Sequence, residues 1–356
     1  MRLFLTIIAV CGILLLIAVG GFYFWLQSSV SAPTDHTKAA DHIRIEKGTA
    51  PRAIISQLSS EGIIKSEFAA QLYLRLFGDA SKLQAGEYQF PSPISTIDVF
   101  KQLEKGEDRT IRLTIPEGWT RFDIAKRISE RVPSDLDEKA ILALMDDTSL
   151  ISDIAPEAKN LEGYLYPSTY NVPADAKPEQ VIRQLVGQFR RFWKPEWSDA
   201  ARTIGRTPHE IVTIASLIET ETPVEGERPT VSGVIHNRLS RGMPLGIDQT
   251  NVYIAKMLGR WDGTIHKSDL EVDSPYNTRR VRGLPPGPIS SVTESSIRAA
   301  LQPEKHDHIF YVLNVDANDG SHWFYSSAAE FEKGKAVYQR WLEEQRRLKR
   351  AAGNSQ

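Results

Sequence analysis

The chain has 356 residues, of which 41% are hydrophobic and 25% are charged, a composition typical of a globular protein. Its formal net charge of −2 argues against a nucleic-acid-binding protein, whose binding face is normally strongly basic. The single cysteine, Cys11, excludes a disulfide framework and a cysteine-ligated metal site.

The most apolar segment is Leu3 to Leu26, which has 24 residues and no charge. At about 1.5 Å per residue, this helix would cross a hydrocarbon core of roughly 30 Å. The length favours a retained anchor over a cleaved signal peptide, although Val30-Ser31-Ala32 offers small residues to a peptidase. We predict an anchor over residues 1–27 with its N-terminus in the cytoplasm, and a polar linker over 28–41.

Two segments that lie 70 residues apart share one pattern of apolar residues around a glycine. Each pattern predicts a short strand, a glycine turn and a helix. The repeat indicates either two related units or chance reuse of a common motif. The matching residues are Ile43, Ile45, Gly48, Ile54 and Leu58 in the first segment, and Leu113, Ile115, Gly118, Ile124 and Ile128 in the second.

Other local patterns predict helices and strands in both halves of the chain, which indicates an α+β fold. Ser95 and Asp98 have the spacing of a capping box, and Gly106 is a typical helix end. The remaining predicted helices are 66–77, 177–193 and 328–350, and the predicted strands are 86–90, 309–314 and 322–326.

A helix should begin at Pro208, because Thr207 and Glu210 have capping-box spacing, and it should end before Pro223. Its apolar residues form one stripe that must face inward. Glu219 and Glu221 fall on opposite flanks of this stripe, each about 80° from its centre, so the periodicity does not choose between them. The stripe consists of Ile211, Ile214, Ala215 and Ile218.

Four glutamates follow this stripe within nine residues: Glu219, Glu221, Glu225 and Glu227. The simplest interpretation is a solvated helix flank. A carboxylate held against an apolar stripe has another use, because desolvation disfavours its charged form. Such a group can hold a proton near neutral pH and act as a general acid.

Several longer motifs are more specific, and together they closely resemble the endolytic murein transglycosylases, the YceG-like (MltG) family. The resemblance covers roughly residues 1–345. The motifs that carry it are LQAGEYQFP (83–91), IPEGWT (115–120), EGYLYPSTY (162–170), ASLIETET (215–222), VIHNRLSRGMPLGIDQT (234–250), SPYNT (274–278) and GLPPGPIS (283–290).

The resemblance implies a single-pass protein of the bacterial cytoplasmic membrane with its catalytic domain on the outer side. Such proteins cleave nascent peptidoglycan within the glycan strand, between N-acetylmuramic acid and N-acetylglucosamine, and leave 1,6-anhydro ends. The implied domains are a small LysM-like module over 42–107, an α+β catalytic domain over 108–345 and a charged tail over 346–356. Peptidoglycan synthases are the implied protein partners, and no metal or cofactor is expected.

The resemblance assigns catalysis to Glu219, the first glutamate of its motif, and leaves Glu221 a local structural role. One carboxyl group is enough, because the 6-hydroxyl of the substrate's own muramic acid attacks in place of a water. The residues implied to contact the substrate or to orient Glu219 are Glu162, Asn237, Asp248, Thr250, Tyr276 and Asn277.

Three positions depart from the family pattern: Gln249, the Ser291-Val292-Thr293 segment and Phe331. Two other functions stay open, namely an inactive, membrane-anchored peptidoglycan-binding scaffold and a hydrolytic muramidase. The muramidase would use Asp248 or Glu162 as a second carboxylate and would leave reducing ends. His306 and His308 have no third ligand in the sequence pattern, so a surface role is favoured over a metal site.

Overall fold

The structure is a computed structural model that describes residues 2–106 and 110–353. The described residues form two compact units, which meet at Thr110 and Ile111. Both units combine helices with short two-stranded sheets, so the prediction of a mixed helix and strand fold is confirmed.

The first unit contains a long N-terminal helix and one small sheet. Its helices are α1 (Arg2–Ser31), α2 (Pro51–Ser60), α3 (Glu67–Leu76) and α4 (Thr96–Lys105), and its strands are β1 (Ile43–Ile45) and β2 (Gly86–Tyr88). The two strands are antiparallel, with Ile43 opposite Tyr88 and Ile45 opposite Gly86. Helices α2 and α3 therefore lie between two paired strands in the chain.

Local capping signals explain the boundaries of the helices in this unit. The hydroxyl of Ser66 accepts a hydrogen bond from the backbone of Ala69 at the start of α3. Ser95 does the same for Asp98 at the start of α4, and Gly106 ends that helix with a positive φ of 67°. The helices predicted at 66–77 and between Ser95 and Gly106 are confirmed.

The second unit is larger and mostly helical. Its helices are α5 (Arg121–Arg131), α6 (Glu138–Leu144), α7 (Pro178–Phe192), α8 (Pro195–Thr203), α9 (Pro208–Glu221), α10 (Arg228–Ser240), α11 (Gln249–Met257), α12 (Lys267–Leu270), α13 (Glu294–Leu301) and α14 (Ala328–Gly353). Its strands are β3 (Thr110–Ile115), β4 (Ser168–Pro173), β5 (Phe310–Leu313) and β6 (His322–Tyr325). Strand β3 pairs with β4, and β5 forms an antiparallel hairpin with β6.

Apolar side chains from most of these helices share one core around α9. Helix α7 contributes the face that its sequence period predicts, including Leu185 and Phe189, which are fully buried. The predicted helix at 177–193, the predicted hairpin and the predicted closing helix are confirmed.

The two repeated patterns both form a strand, a glycine turn and a helix, as predicted. Gly48 and Gly118 have positive φ values of 85° and 70°, and a Cβ atom at either position would meet no atom within 4 Å. Backbone conformation, rather than space, therefore favours glycine at these two turns.

Helix α1 extends past the segment that is predicted to be the anchor. Among the described residues, its Cys11–Ser31 segment is the one helix that is long and apolar enough to cross a membrane. The helix continues to Ser31, four residues beyond the predicted end of the anchor, because Leu26 and Val30 are buried against Ala69 of the first unit. Thr34 also pairs with Ile94, so part of the predicted linker is fixed to this unit.

Candidate active site

The predicted capping box positions helix α9 and its terminal glutamates. The backbone of Glu210 donates to the hydroxyl of Thr207 at 3.2 Å, and the carboxylate of Glu210 accepts from the backbone of Thr207 at 2.9 Å. Pro208 occupies the first turn, and the helix ends at Glu221, two residues before Pro223. The sequence therefore fixes both ends of this helix.

Helix α9 is buried on all sides from Ile211 to Glu219, whereas its apolar pattern predicted a single inward stripe. Two polar residues account for the difference. The hydroxyl of Thr213 donates to the carbonyl of His209 at 2.8 Å, and that of Ser216 donates to the carbonyl of Thr213 at 2.8 Å. Because these hydroxyls are satisfied within the helix, they are compatible with a buried face.

The carboxylate of Glu219 is enclosed by protein donors. Its Oε1 accepts from the guanidinium of Arg228 at 2.9 Å, and its Oε2 accepts from the backbone and hydroxyl of Thr293 at 2.9 and 2.7 Å and from the hydroxyl of Ser296 at 2.7 Å. The side chain of Glu219 is 2% exposed and that of Arg228 is 8% exposed. The ion pair thus links α9 to the start of α10, and the bonds from Thr293 and Ser296 link α9 to the start of α13.

One departure from the family pattern contributes to this network. Thr293 supplies two of the four donors to Glu219, and its hydroxyl also accepts from Arg228 at 2.7 Å. Both oxygens of Glu219 thus have protein partners, with one donor to Oε1 and three to Oε2. Glu219 and Arg228 therefore form a buried ion pair.

Glu221 has a different environment on the other flank of α9. It is half-buried, and within the described residues the hydroxyl of Tyr311 is the one donor to its carboxylate. Tyr311 comes from strand β5, 90 residues further along the chain. The other carboxylate oxygen has no donor among the residues that the structure describes.

Burial raises the pKa of the Glu221 carboxyl above its usual range. The hydrogen bond from Tyr311 opposes this shift, the charge of Asp248 adds to it, and His322 and Arg238 oppose it. The carboxyl group of Glu221 therefore has an increased proton affinity.

The β5–β6 hairpin is held against α9 and α10 by a second set of polar contacts. The backbone and the ring Nδ1 of His322 lie 2.7 and 3.0 Å from the two carboxylate oxygens of Glu227, which also accepts from Thr222 at 3.2 Å. The guanidinium of Arg238 donates to the carbonyl of Ile309 at 2.6 Å. These bonds fix the strand that presents Tyr311 to Glu221.

Two of the predicted substrate-binding residues lie in this part of the unit. The amide of Asn237 donates to the carbonyls of His306 and His308 at 2.7 and 3.0 Å, so it supports the chain that enters β5. The side chain of Asp248 is 48% exposed and accepts from Arg279 at 2.6 Å. Asp248 is thus accessible to a ligand, whereas the amide of Asn237 is used within the protein.

Thr250 and Asn277 are fully buried and bonded within the protein. The hydroxyl of Thr250 donates to the carbonyl of Ile247 at 2.6 Å and lies 3.0 Å from the hydroxyl of Thr278. The amide of Asn277 donates to the carbonyls of Leu270 and Val272 at 3.1 and 2.8 Å. Thr250 therefore fixes the start of α11 next to Asp248, and Asn277 fixes the loop that follows α12.

Glu162 and Tyr276 belong to a separate polar cluster. Glu162 is fully buried, and its two oxygens accept from the backbone of Arg121 at 3.1 and 3.0 Å. Burial raises the pKa of Glu162 to about 7, although the Arg121 backbone and charge oppose the shift. The ring of Tyr276 lies 5.0 Å from that of Tyr253, and burial, with the charge of Glu162, raises the pKa of Tyr276 to about 12.

The sequence did not identify several residues that shape the two carboxylates. Arg228, Thr293 and Ser296 surround Glu219, and Tyr311 contacts Glu221. Arg228 directly follows the glutamate cluster, which is the one local signal that it could pair with an acid. The other three lie 74 to 90 residues from their partners and carried no such signal.

The described residues contain no group of three or more histidine, cysteine, aspartate or glutamate side chains that could hold a metal ion. The ring of His306 lies 3.0 Å from the carbonyl of Thr230, and the ring of His308 lies 3.1 Å from the hydroxyl of Ser326. Both imidazoles thus have protein partners.

Comparison with known proteins agrees with this architecture. The model of the YceG-like family matches residues 43–337. A crystal structure of a yceG-like protein from Listeria monocytogenes matches with a TM-score of 0.55 and 32% sequence identity, covering 82% of this chain and 98% of that one. The chain belongs to the YceG-like family.

Two relatives carry a functional name. The chain is 32% identical to the endolytic murein transglycosylase of Bacillus subtilis (strain 168), over 90% of this chain and 91% of that protein. It is 27% identical to the endolytic murein transglycosylase of Streptococcus pneumoniae serotype 2 (strain D39 / NCTC 7466), over 91% of this chain and 63% of that protein. The similarity to the Bacillus protein therefore extends over nearly the whole of both chains.

Proposed function

We propose that this protein is an endolytic peptidoglycan lytic transglycosylase. The names of its relatives support the reaction class, and the observation that carries the chemistry is the half-buried carboxyl group of Glu221, with its raised pKa and its one donor among the described residues. The substrate is the glycan strand of nascent peptidoglycan, cut between N-acetylmuramic acid and N-acetylglucosamine.

The acid that the sequence motif assigns is Glu219, and this assignment stays a prediction. The contacts favour its neighbour, because Glu219 is 2% exposed and shares its oxygens among four donors. A general acid must reach the glycosidic oxygen within hydrogen-bond distance. Contact between Glu221 and a substrate would break no ion pair, so we propose Glu221 as the acid and base.

The reaction then needs one carboxyl group and no water. Neutral Glu221 gives its proton to the glycosidic oxygen as the bond to C1 of muramic acid breaks. The resulting carboxylate takes the proton of the muramic 6-hydroxyl while that oxygen bonds to C1 and closes the 1,6-anhydro ring. Glu221 ends neutral, and the intramolecular nucleophile supplies the proximity that a hydrolase obtains from a positioned water.

We propose that the six other predicted residues either contact the sugar or hold the loops of the glycan-binding groove. Asp248 and Tyr276 are the candidates for direct sugar contact, because the carboxylate of Asp248 is accessible and the side chain of Tyr276 is partly exposed. Tyr276 offers an apolar ring face of the kind that packs against sugars. Asn237, Thr250, Asn277 and Glu162 would hold the groove loops in place.

The domain scheme is part of the same proposal. The first unit has the order strand, helix, helix, strand with an antiparallel pair, which supports a LysM-like module over 42–107. Helix α1 would anchor the chain in the bacterial cytoplasmic membrane, with the N-terminus inside and the catalytic domain of 108–345 outside. Peptidoglycan synthases would supply the nascent strands, whose length the cleavage would limit.

Product analysis tests the reaction. Uncrosslinked nascent glycan is incubated with the full chain in detergent, and the new ends are identified by mass spectrometry. The proposal predicts 1,6-anhydromuramic ends. Reducing muramic ends would support a hydrolytic muramidase instead, and an intact substrate that is bound but not cut would support the scaffold.

A further inference from the structure

The end of helix α1 is built into the first unit. Leu26 and Val30 are 2% and 0% exposed, and they pack against Ala69, with Leu72 and Ile97 at the edge of the contact. Just after the helix, the backbone of Thr34 bonds to that of Ile94 in both directions, at 2.8 and 3.1 Å. The unit therefore has a fixed position on the last turns of α1.

Aromatic residues cover the other sides of the same turns. Tyr23 and Trp25 are about half exposed, and each contacts an aromatic ring of the segment that begins at α3. The ring of Tyr23 lies 5.9 Å from that of Phe77, and the ring of Trp25 lies 6.4 Å from that of Phe68. A continuous aromatic surface thus runs from α1 onto the first unit.

Three large apolar side chains of this surface face outward: Phe68, Leu76 and Phe77, which are 66%, 53% and 54% exposed. We call them the α3 patch. Exposed apolar groups that cluster in this way mark a contact surface rather than ordinary solvent exposure. Their neighbours include Arg52 and Arg75, which line the same open cleft as Phe68 and suit the phosphates of lipid headgroups.

The length of α1 indicates where the α3 patch lies relative to the hydrocarbon core of the bilayer. The uncharged segment from Leu3 to Leu26 is about 36 Å long at about 1.5 Å per residue, which exceeds a hydrocarbon core of about 30 Å. Its last turn therefore reaches the interface, where tyrosine and tryptophan are enriched. Phe68 and Phe77 contact this turn, so they lie at the same level.

We propose that the α3 patch inserts into the interfacial layer of the bilayer that α1 crosses. The inference rests on the proposed membrane anchor and goes beyond the transglycosylase activity. The continuity of the patch with α1 selects a lipid surface as its occupant. The patch would hold the first unit on the membrane.

Fluorescence quenching in liposomes tests the insertion. The full chain is labelled with an environment-sensitive fluorophore, either on the native Cys11 or, in a Cys11→Ser background, on a cysteine placed at Phe68, Phe77 or Gln89. Gln89 is exposed and bonds to the carbonyl of Ala39, beyond the end of α1, so it is the matched aqueous control. Quenchers are lipids with nitroxides at shallow or deep acyl positions, and iodide in the water.

We expect deep-lipid quenching at Cys11, shallow-lipid quenching and protection from iodide at positions 68 and 77, and iodide quenching at position 89. If positions 68 and 77 behave like position 89 while Cys11 is lipid-quenched, the insertion is overturned and the anchor stands. Protection of both positions from lipid and iodide would indicate a protein contact and would also overturn it. Iodide quenching at Cys11 would overturn the anchor itself.

A second variant tests whether the fluorophore itself, rather than the α3 patch, causes insertion into the lipid. The double substitution Phe68→Asp and Phe77→Asp is combined with a label on Leu76→Cys. The proposal predicts that lipid quenching of this label falls to the level at position 89 while the far-ultraviolet circular dichroism is unchanged. Unchanged quenching would contradict insertion through the α3 patch.

Discussion

The two glutamates on the flanks of helix α9 have different hydrogen-bond partners. On one flank, Glu219 is ion-paired with Arg228 and bonded to Thr293 and Ser296. On the other flank, Tyr311 is the one donor to Glu221 among the described residues, and the pKa of Glu221 is raised. The same side chain type, two residues apart, therefore has two different environments, and we propose that this difference decides which glutamate donates the proton.

Breaking the ion pair on the Glu219 flank should have the largest effect on stability. Arg228→Met leaves a buried carboxylate without its cation, which typically costs about 3–5 kcal/mol. Chemical unfolding of the full chain in detergent measures this change. Arg279→Met, in the half-exposed pair with Asp248, is the matched control and should cost less than about 1 kcal/mol.

A double-mutant cycle sharpens that prediction. Adding Glu219→Gln to Arg228→Met removes the unpaired charge, so the double variant should be more stable than the sum of the single changes predicts. Simple additivity would contradict a direct ion pair between the two side chains.

The raised pKa of Glu162 should make the stability of the protein depend on pH. Because its pKa is raised from 4.5 to about 7, the folded state binds a proton that the unfolded chain has already lost. Stability should therefore fall as pH rises from about 4.5 to about 7, by up to about 3 kcal/mol, and then stay level. Glu162→Gln should remove the part of this slope that Glu162 contributes and leave the part from Glu221, whose pKa is also raised, and an unchanged slope would contradict the prediction.

Tyr311 should adjust the proton affinity of Glu221. Its hydrogen bond lowers the pKa of that carboxyl, so Tyr311→Phe should raise it and move the high-pH limb of the cleavage rate to higher pH. The lost bond should also cost about 1 kcal/mol of stability. The rate of release of anhydro ends as a function of pH checks this, and an unmoved limb would argue against Glu221 as the acid.

Asp248→Asn should have the smallest effect on the pH dependence of cleavage, and its effect should be opposite in sign to that of Tyr311→Phe. Its charge raises the pKa of Glu221, so Asp248→Asn should move the same limb to lower pH. Because Asp248 is half-exposed, solvent weakens the interaction, and stability should change by less than about 1 kcal/mol. If both variants moved the limb in one direction, the electrostatic explanation would be wrong.

Features with local signals could be predicted from the sequence. The capping residues Ser95 and Thr207 marked helix starts correctly, and the strands predicted at 309–314 and 322–326 form the β5–β6 hairpin. These signals lie within a few residues of the structure that they specify.

Features that depend on distant contacts could not be predicted in this way. The difference between Glu219 and Glu221 depends on Thr293, Ser296 and Tyr311, which the fold brings from far along the chain. The extension of α1 to Ser31 likewise depends on the burial of Val30 by the first unit. Helical periodicity treats the two glutamates as equivalent flanks, since it contains no information on what packs against each one.

The most direct test compares Glu221→Gln with Glu219→Gln in the release of anhydro ends by the full chain, at equal folded fractions. If Glu221 is the acid, Glu221→Gln should lower the rate by roughly 10²- to 10⁴-fold, the usual contribution of a general acid, while folded Glu219→Gln retains most activity. Full activity of Glu221→Gln together with an inactive but folded Glu219→Gln would contradict this assignment and return the role to Glu219.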